Sequence, residues 1–135
     1  MTAHIISSPH MAYSLLMGQI HEFVFLTDDN ESLNQWGSIL SDLVRDKTPT
    51  DTLYVLFDIR ETTFSINYGF VLFKQIVDAH PSFPFVKTAY LHNMQPNLIS
   101  QVQTMARLTH TQHHERGFFN ADERDTAVEW LLSSM

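Results

Sequence analysis

The chain of 135 residues contains no cysteine, which excludes several kinds of chemistry. Disulfide bonds, zinc sites built on thiolates and thiol nucleophiles all need that side chain. Glycine is also scarce, because the chain has only four and each stands alone. A loop that cradles phosphate needs closely spaced glycines, so we expect no nucleotide-binding loop of that kind. A G-x-S-x-G motif is absent too, which argues against a serine hydrolase.

Positively charged residues are also scarce in this chain. Lys and Arg together number 8 against 15 Asp and Glu, which gives a net charge of −7. Since nucleic acids and anionic lipid surfaces bind clustered positive charge, we expect neither as a partner. Apolar runs all fall short of the roughly 20 residues that span a membrane. The first residues do not have the pattern of a signal peptide, so we expect a cytoplasmic location.

Apolar residues are plentiful, at 44% of the chain, and we expect one domain over residues 1–135. The run Leu53–Ile59 is apolar throughout and rich in β-branched and aromatic residues, which is typical of a strand buried on both faces. The next run, Ile66–Val77, has apolar residues at helical spacing. We therefore predict a central strand and a central helix, which together form half of a βαβ unit.

The segments on either side predict the remaining elements. Three apolar pieces within residues 4–26 predict antiparallel strands. Asp28 and Glu31 have the spacing of a helix-capping pair. The stripe of the helix that follows consists of Leu33, Trp36, Leu40 and Leu43.

The second half of the chain continues the alternation. Phe85–Leu91 predicts a strand, Pro96 the first turn of a helix, and Glu115–Phe119 a short strand. Asn120, three residues before Glu123, is a candidate cap for the last helix. The fold class is therefore α/β, with one mixed sheet flanked by about four helices.

The carboxyl end of the central strand is the predicted site, because open α/β sheets bind ligands there. The candidate binding or regulatory residues on this surface are Asp58, Thr62, Thr63, Ser65, Asn67 and Tyr68. We expect no catalytic residue, no metal and no cofactor.

Three stretches carry a family likeness: Phe57-Asp58 before the central helix, Val86–Leu91 before the next helix, and Arg116-Gly117-Phe118 followed by Ala127–Leu131. They resemble the SpoIIAA-like superfamily, which includes STAS domains and STAS/SEC14-like domains. The last stretch is similar to the R-x-F … A-x-x-W-L ending of the STAS/SEC14-like group. The resemblance implies a SpoIIAA/STAS-like fold and a regulatory role.

The same resemblance implies that one feature of the family is missing. In its anti-sigma-factor antagonists an Asp-Ser pair follows a Phe, and that serine is phosphorylated. Aligning the chain on Phe64 and Gly69 places Ile66 and Asn67 at the pair. We therefore expect no phosphorylation switch at the start of this helix.

A receiver-like domain is one alternative, since Asp28-Asp29 and Asp58 resemble the carboxylates that hold Mg²⁺ and accept a phosphoryl group in receivers. Only one helix separates the two positions, and Asn120 occupies the region where the expected lysine would lie. At most, this would be a degenerate phosphoacceptor.

A histidine cluster is another candidate site. His110, His113 and His114 lie close together, but neighbouring side chains at the start of a strand point to opposite faces. We favour a solvent-exposed polar loop over a metal site.

The function we expect is that of a non-enzymatic regulatory or binding module whose unknown protein partner contacts Arg60–Ser65 and Ile66–Gly69. The alternative is a carrier or sensor of a small apolar, lipid-like ligand, by analogy with the SEC14-like relatives. A protein partner predicts a solid core with no sizeable cavity and an exposed apolar patch, whereas a ligand carrier predicts an enclosed apolar pocket of several hundred Å³. An enzyme predicts titratable groups with shifted pKa values converging in a cleft.

A homodimer is a further expectation. Trp130, Leu131 and Leu132 follow one another, and on a helix they point about 100° apart, so one large side chain stays outside the core. Either a second copy of the chain or the segment around Ile5-Ile6 would cover it. In sedimentation at micromolar concentration we expect a dimer for the wild type and a monomer for Trp130→Ser. A monomeric wild type would contradict the dimer.

Overall fold

A computed structural model of the chain describes residues 2–27, 29–60, 66–108 and 114–133, and within these only the backbone of residues 2–6, 66–67 and 105–108. This part of the chain forms six strands and four helices. In chain order they are β1 (Thr2–Ser7), β2 (Met11–Leu16), β3 (Ile20–Phe25), α1 (Asn30–Val44), β4 (Thr52–Asp58), α2 (Ile66–Ala79), β5 (Phe85–His92), α3 (Pro96–Leu108), β6 (His114–Asn120) and α4 (Arg124–Leu132). The predicted order of elements and the α/β class are confirmed.

The sheet is mixed, and its strands lie side by side in the order of the sequence, from β1 to β6. β1, β2 and β3 pair antiparallel, as predicted, whereas β3, β4, β5 and β6 pair parallel. Met17 and Gly18 turn the chain between β2 and β3 with φ of 56° and 70°, the left-handed conformation that tight hairpins require. β4 is paired on both sides, which confirms the predicted central strand.

Alternation along β4 divides the core into two layers. Leu53, Val55 and Phe57 face α1 and α2, whereas Leu56 and Asp58 face α4. The first layer is much the larger, because two long helices supply apolar stripes to it. The second contains a small cluster under one short helix.

The start and the stripe of α1 both differ slightly from the prediction. Asp29 is the N-cap residue, and its Oδ1 accepts a hydrogen bond from the Ser32 N–H at 3.2 Å. The predicted cap, Asp28, lies outside the described residues. In the last turn Val44 is buried and the predicted Leu43 is half-buried, because a helix of 3.6 residues per turn shifts its buried face along the stripe.

The prediction that Asn120 caps the start of α4 was wrong. Glu123, and not Asn120, is the N-cap residue. The carboxylate of Glu123 accepts a hydrogen bond from the Asn120 N–H at 2.8 Å, so Asn120 contributes its backbone and not its side chain.

The last helix is attached to the sheet at both ends. Near its start, the guanidinium of Arg124 donates to the buried carboxylate of Glu22 in β3. Near its end, the buried ammonium of Lys87 donates to the Trp130 carbonyl at 2.8 Å and lies 4.2 Å from the Trp130 ring centroid. These contacts compensate the cost of burying the two charges.

The structure gives the burial of the three residues from which the dimer was predicted. Leu131 is fully buried, as predicted, and Trp130 and Leu132 are half-buried. The Trp130 ring packs on Phe119 with centroids 5.7 Å apart. β1 lies at the opposite edge of the sheet from β6, so the N-terminal segment is not what covers Trp130. The dimer stays a prediction.

Among the described residues, none of the helices combines the length and the apolar character that crossing a membrane requires.

We expect Phe57→Ala to lower the free energy of unfolding by about 3–5 kcal/mol, because the residue is 5% exposed and its ring contacts those of Phe23, Phe25, Trp36 and Tyr90. Urea denaturation measures the loss. Val71→Ala, at a position 50% exposed on α2, is the control and should change stability by less than about 0.5 kcal/mol. A loss below about 1 kcal/mol for Phe57→Ala would contradict its central place in the core.

Candidate functional site

A pocket opens over β4, β5 and β6, on the face of the sheet that carries α1 and α2. α2 forms one wall and α3 the other, with Leu98 and Val102 of α3 facing the rings of α2. The lining is mainly apolar, and six of its fourteen residues carry large aromatic rings: Trp36, Phe57, Phe70, Phe73, Tyr90 and Phe118.

The size of the pocket limits what it can hold. The volume open to the centre of a water-sized sphere is about 80 Å³, and one side of the pocket faces solvent. Pockets for drug-sized ligands are larger, at about 300–1,000 Å³. The pocket is therefore smaller than a lipid carrier would require, and its dimensions suit a single apolar group, with the rest of a ligand outside.

Arg116 places a positive charge in this apolar wall. Alternation along β6 turns His114, Arg116 and Phe118 to the pocket side of the sheet. The guanidinium carbon of Arg116 lies 5.2 Å from the Phe70 ring centroid and 5.6 Å from that of Phe73. At these distances the ring faces attract the cation.

Tyr90 is the polar neighbour of Arg116. Burial raises the pKa of the Tyr90 hydroxyl, and the opposing effects of the Arg116 charge and of a hydrogen bond between the two side chains are smaller. The hydroxyl is therefore neutral near pH 7. The pocket thus combines aromatic rings with one guanidinium, one neutral hydroxyl and the imidazole of His114.

His114 is the one member of the histidine cluster within the described residues, and it is buried, so for this residue the prediction of a solvent-exposed loop was wrong. It begins β6, where pairing with β5 turns it under α2. Its Nε2 and Thr88 Oγ1 are hydrogen-bonded at 2.6 Å, and its ring lies 4.8 Å from that of Phe73. In the part of the chain that the structure describes, no group of three His, Asp or Glu could hold a metal ion.

Asp58 is buried on the opposite face of the sheet from the pocket. Arg60 binds its carboxylate with both arms of the guanidinium, Nε to Oδ1 at 2.9 Å and Nη2 to Oδ2 at 2.6 Å. The Arg60 N–H donates to Oδ1 as well. A carboxylate that accepts three hydrogen bonds at 2% exposure is poorly placed to receive a phosphoryl group.

The same arginine joins the ends of three strands. Its backbone carbonyl accepts a hydrogen bond from Asn93 Nδ2 at 3.1 Å, just after β5. Its Nη1 donates to the Ala121 carbonyl at 3.5 Å, just after β6. Asp58 therefore organises the edge of the sheet through Arg60.

The remaining predicted site residues are only partly placed. Tyr68 lies on α2 with its hydroxyl donating to Asn34 Oδ1 at 2.5 Å, which links α2 to α1. Asn67 belongs to α2 by its backbone. Thr62, Thr63 and Ser65 lie outside the described residues, as do His110 and His113. The structure separates Asp58 from Tyr68, because they lie on opposite faces of the sheet.

The pocket residues on α3 and β6 were missed by the sequence prediction, which placed the site at the end of β4. One signal was available. His114, Arg116 and Phe118 alternate on a strand whose other face holds Gly117 and Phe119, so alternation alone would have indicated a charge on the same face as aromatic residues. No pattern in the sequence indicates how far apart α2 and α3 lie.

Away from the pocket, two neighbouring side chains, those of His21 and Tyr13, have shifted pKa values. His21 Nδ1 and the Tyr13 hydroxyl are hydrogen-bonded at 2.6 Å on neighbouring strands β3 and β2. Burial, with a smaller effect of the Lys47 charge, lowers the pKa of His21 to about 4. Burial also raises the pKa of Tyr13. This pair does not line the pocket, so it does not form a catalytic centre there.

Comparison of the chain with protein-family models, with curated proteins and with solved structures gives no match.

We expect stability to fall as the pH is lowered from about 6.5 towards 4. In that range the unfolded chain protonates His21 at its ordinary pKa of 6.5, whereas the folded chain keeps it neutral, so acid favours unfolding. Urea denaturation at pH 7 and pH 5 should show a smaller loss for His21→Gln than for the wild type. His92, whose pKa burial also lowers, is present in both proteins and cancels in this comparison. Equal losses would contradict the shift at His21.

Proposed function

We propose that the protein is a non-enzymatic binding module that takes a small apolar group into the pocket between α2 and α3. The observation that carries the proposal is the aromatic lining of a space that is open to solvent. Water in such a space finds few hydrogen-bond partners, so replacing it with an apolar group is favourable by about 25 cal/mol per Å² of apolar surface buried.

The floor of the pocket is already ordered by contacts among its rings. Trp36 meets Phe57 edge-on with centroids 5.5 Å apart, and Phe57 meets Tyr90 at 5.2 Å. Tyr90 stacks on Phe118 at 4.9 Å with an angle of 10° between the rings. Since these rings hold one another, a ligand does not have to order them, and less of its binding energy is lost.

The expected alternative, a surface for a protein partner, has less support. Among the described residues, the large apolar side chains that are clearly exposed are Met17, Leu26 and Val71. They belong to the β2–β3 turn, the end of β3 and α2, so they do not form one patch of the kind that marks a protein interface. Most of the predicted contact loop Arg60–Ser65 lies outside the described residues, and a protein partner there stays a prediction.

Catalysis is the third possibility, and the polar groups near the pocket do not favour it. His114 is hydrogen-bonded to the Thr88 hydroxyl, but Thr88 is 2% exposed and does not line the pocket. A ligand in the pocket would therefore not reach that hydroxyl. A nucleophile must lie within bonding reach of its substrate, so this pair acts as a structural link between β5 and β6.

The test is to fill the pocket. Leu98→Trp on α3 replaces a lining side chain with a bulky ring and should weaken binding of the neutral fluorescent probe N-phenyl-1-naphthylamine about tenfold or more, which corresponds to a loss of about 1.4 kcal/mol. Val71→Trp, on the solvent side of α2, adds the same ring outside the pocket and should leave the Kd within about twofold. Equal Kd values for the two variants, or no binding by the wild type, would contradict the proposal.

A further inference from the structure

The aromatic rings that line the pocket meet one another both edge to face and face to face. Trp36 meets Phe57 at an angle of 81°, and Phe57 meets Tyr90 at 67°, so in each pair the edge of one ring points to the face of the other. Tyr90 and Phe118 are stacked, with 10° between the two rings. Ring edges carry partial positive charge and ring faces partial negative charge, so a further ring in this space is attracted in either arrangement. An alkyl group has no such charge distribution and gains only from the burial of its surface.

Met94 adds a second kind of group that favours aromatic rings. It follows β5, lines the pocket and is half-buried. A thioether sulfur makes favourable contacts with aromatic rings, often at the ring edge. The Met94 N–H donates to Nδ1 of His92 at 3.2 Å, and the Met94 side chain packs against the larger apolar cluster. The side chain of Met94 is therefore held beside the space that a ligand would occupy.

The size of the pocket suits one ring. An apolar cavity of about 150 Å³ takes up one benzene molecule. The pocket of this protein, at about 80 Å³, is smaller but open on one side, so a six-membered ring can enter it with its substituent in solvent. A rigid ring also has no internal rotations to lose on binding, whereas a flexible chain of the same size does.

We propose that the ligand is a small monocyclic aromatic compound, whose uncharged ring enters the pocket against Tyr90, Met94 and Phe118 and whose substituent stays in solvent. This inference rests on the proposed function and adds the class of ligand to it. No bond is made or broken, and the ligand leaves unchanged.

The test compares two alcohols that differ in the aromaticity of their ring. Benzyl alcohol and cyclohexylmethanol carry the same hydroxymethyl group on a six-membered ring. The cyclohexyl ring has the larger apolar surface, so burial alone favours cyclohexylmethanol. We expect benzyl alcohol to bind about two- to tenfold more tightly instead, because its ring interacts with the rings of the lining.

The two tryptophans allow a direct measurement, because Trp36 lines the pocket and Trp130 lies on the other face of the sheet. In Trp130→Phe protein, Trp36 is the one remaining tryptophan and its fluorescence reports the pocket. Displacement of N-phenyl-1-naphthylamine from the wild-type protein gives the same two Kd values without any substitution.

Substitutions in the lining assign the preference to the aromatic groups. Phe118→Leu keeps an apolar side chain but removes one ring, and it should lower the preference for benzyl alcohol about twofold or more. Leu98→Ile changes the shape of a lining residue that has no ring, and it should leave the ratio of the two Kd values unchanged even if both values shift. The difference in hydration between the two alcohols is the same for every variant, so it cancels when the ratios are compared. If Phe118→Leu does not fold, judged by circular dichroism, Met94→Leu removes the thioether and should lower the same ratio.

Three results would overturn the inference, and they differ in what they leave standing. If cyclohexylmethanol binds as tightly as benzyl alcohol or more tightly, the pocket does not select aromatic rings, although it remains a binding site. The same holds if Phe118→Leu and Leu98→Ile change the ratio of the two Kd values equally. If neither alcohol changes the fluorescence of Trp36 and N-phenyl-1-naphthylamine also fails to bind, the proposed function falls with the inference.

Discussion

Burial of β4 on both faces is the constraint on which the other layers depend. Phe57 supports the rings of Trp36 and Tyr90 on one side, and those rings form the floor of the pocket. The next residue, Asp58, points the other way and fixes Arg60, which holds the ends of β5 and β6. Two successive residues of one strand thus organise two separate regions, because side chains alternate across a sheet.

The two faces of the sheet are stabilised in different ways. Under α1 and α2 lies the larger apolar cluster, to which several aromatic rings contribute. Under α4 a small apolar cluster is flanked by the Arg124–Glu22 ion pair and by the contact of Lys87 with Trp130. A helix of nine residues supplies too little apolar surface to cover three strands, so polar contacts at its two ends contribute to its position.

Most of the fold could be predicted from the sequence, because buried strands and amphipathic helices leave periodic patterns, as Leu53–Ile59 shows. The errors lay where side chains bond to backbone locally: Asp29 caps α1, and Glu123 accepts from Asn120. His114 was placed in solvent because its neighbours are polar, whereas pairing with β5 buries it. The pocket had no periodic signal, because it depends on the separation of α2 and α3, and periodicity specifies only which side of each helix is buried.

The order of the strands has a consequence for how the protein forms during synthesis. Every strand pairs with the strand that precedes it in the sequence, so none has to be inserted between two strands that are already joined. As the chain leaves the ribosome, the β1–β2–β3 meander presents the free edge of β3, and each later helix and strand extends the sheet from that side by a local step. Contacts of short sequence separation cost little loop-closure entropy, so such a sheet can grow from its N-terminal side without waiting for the C-terminus.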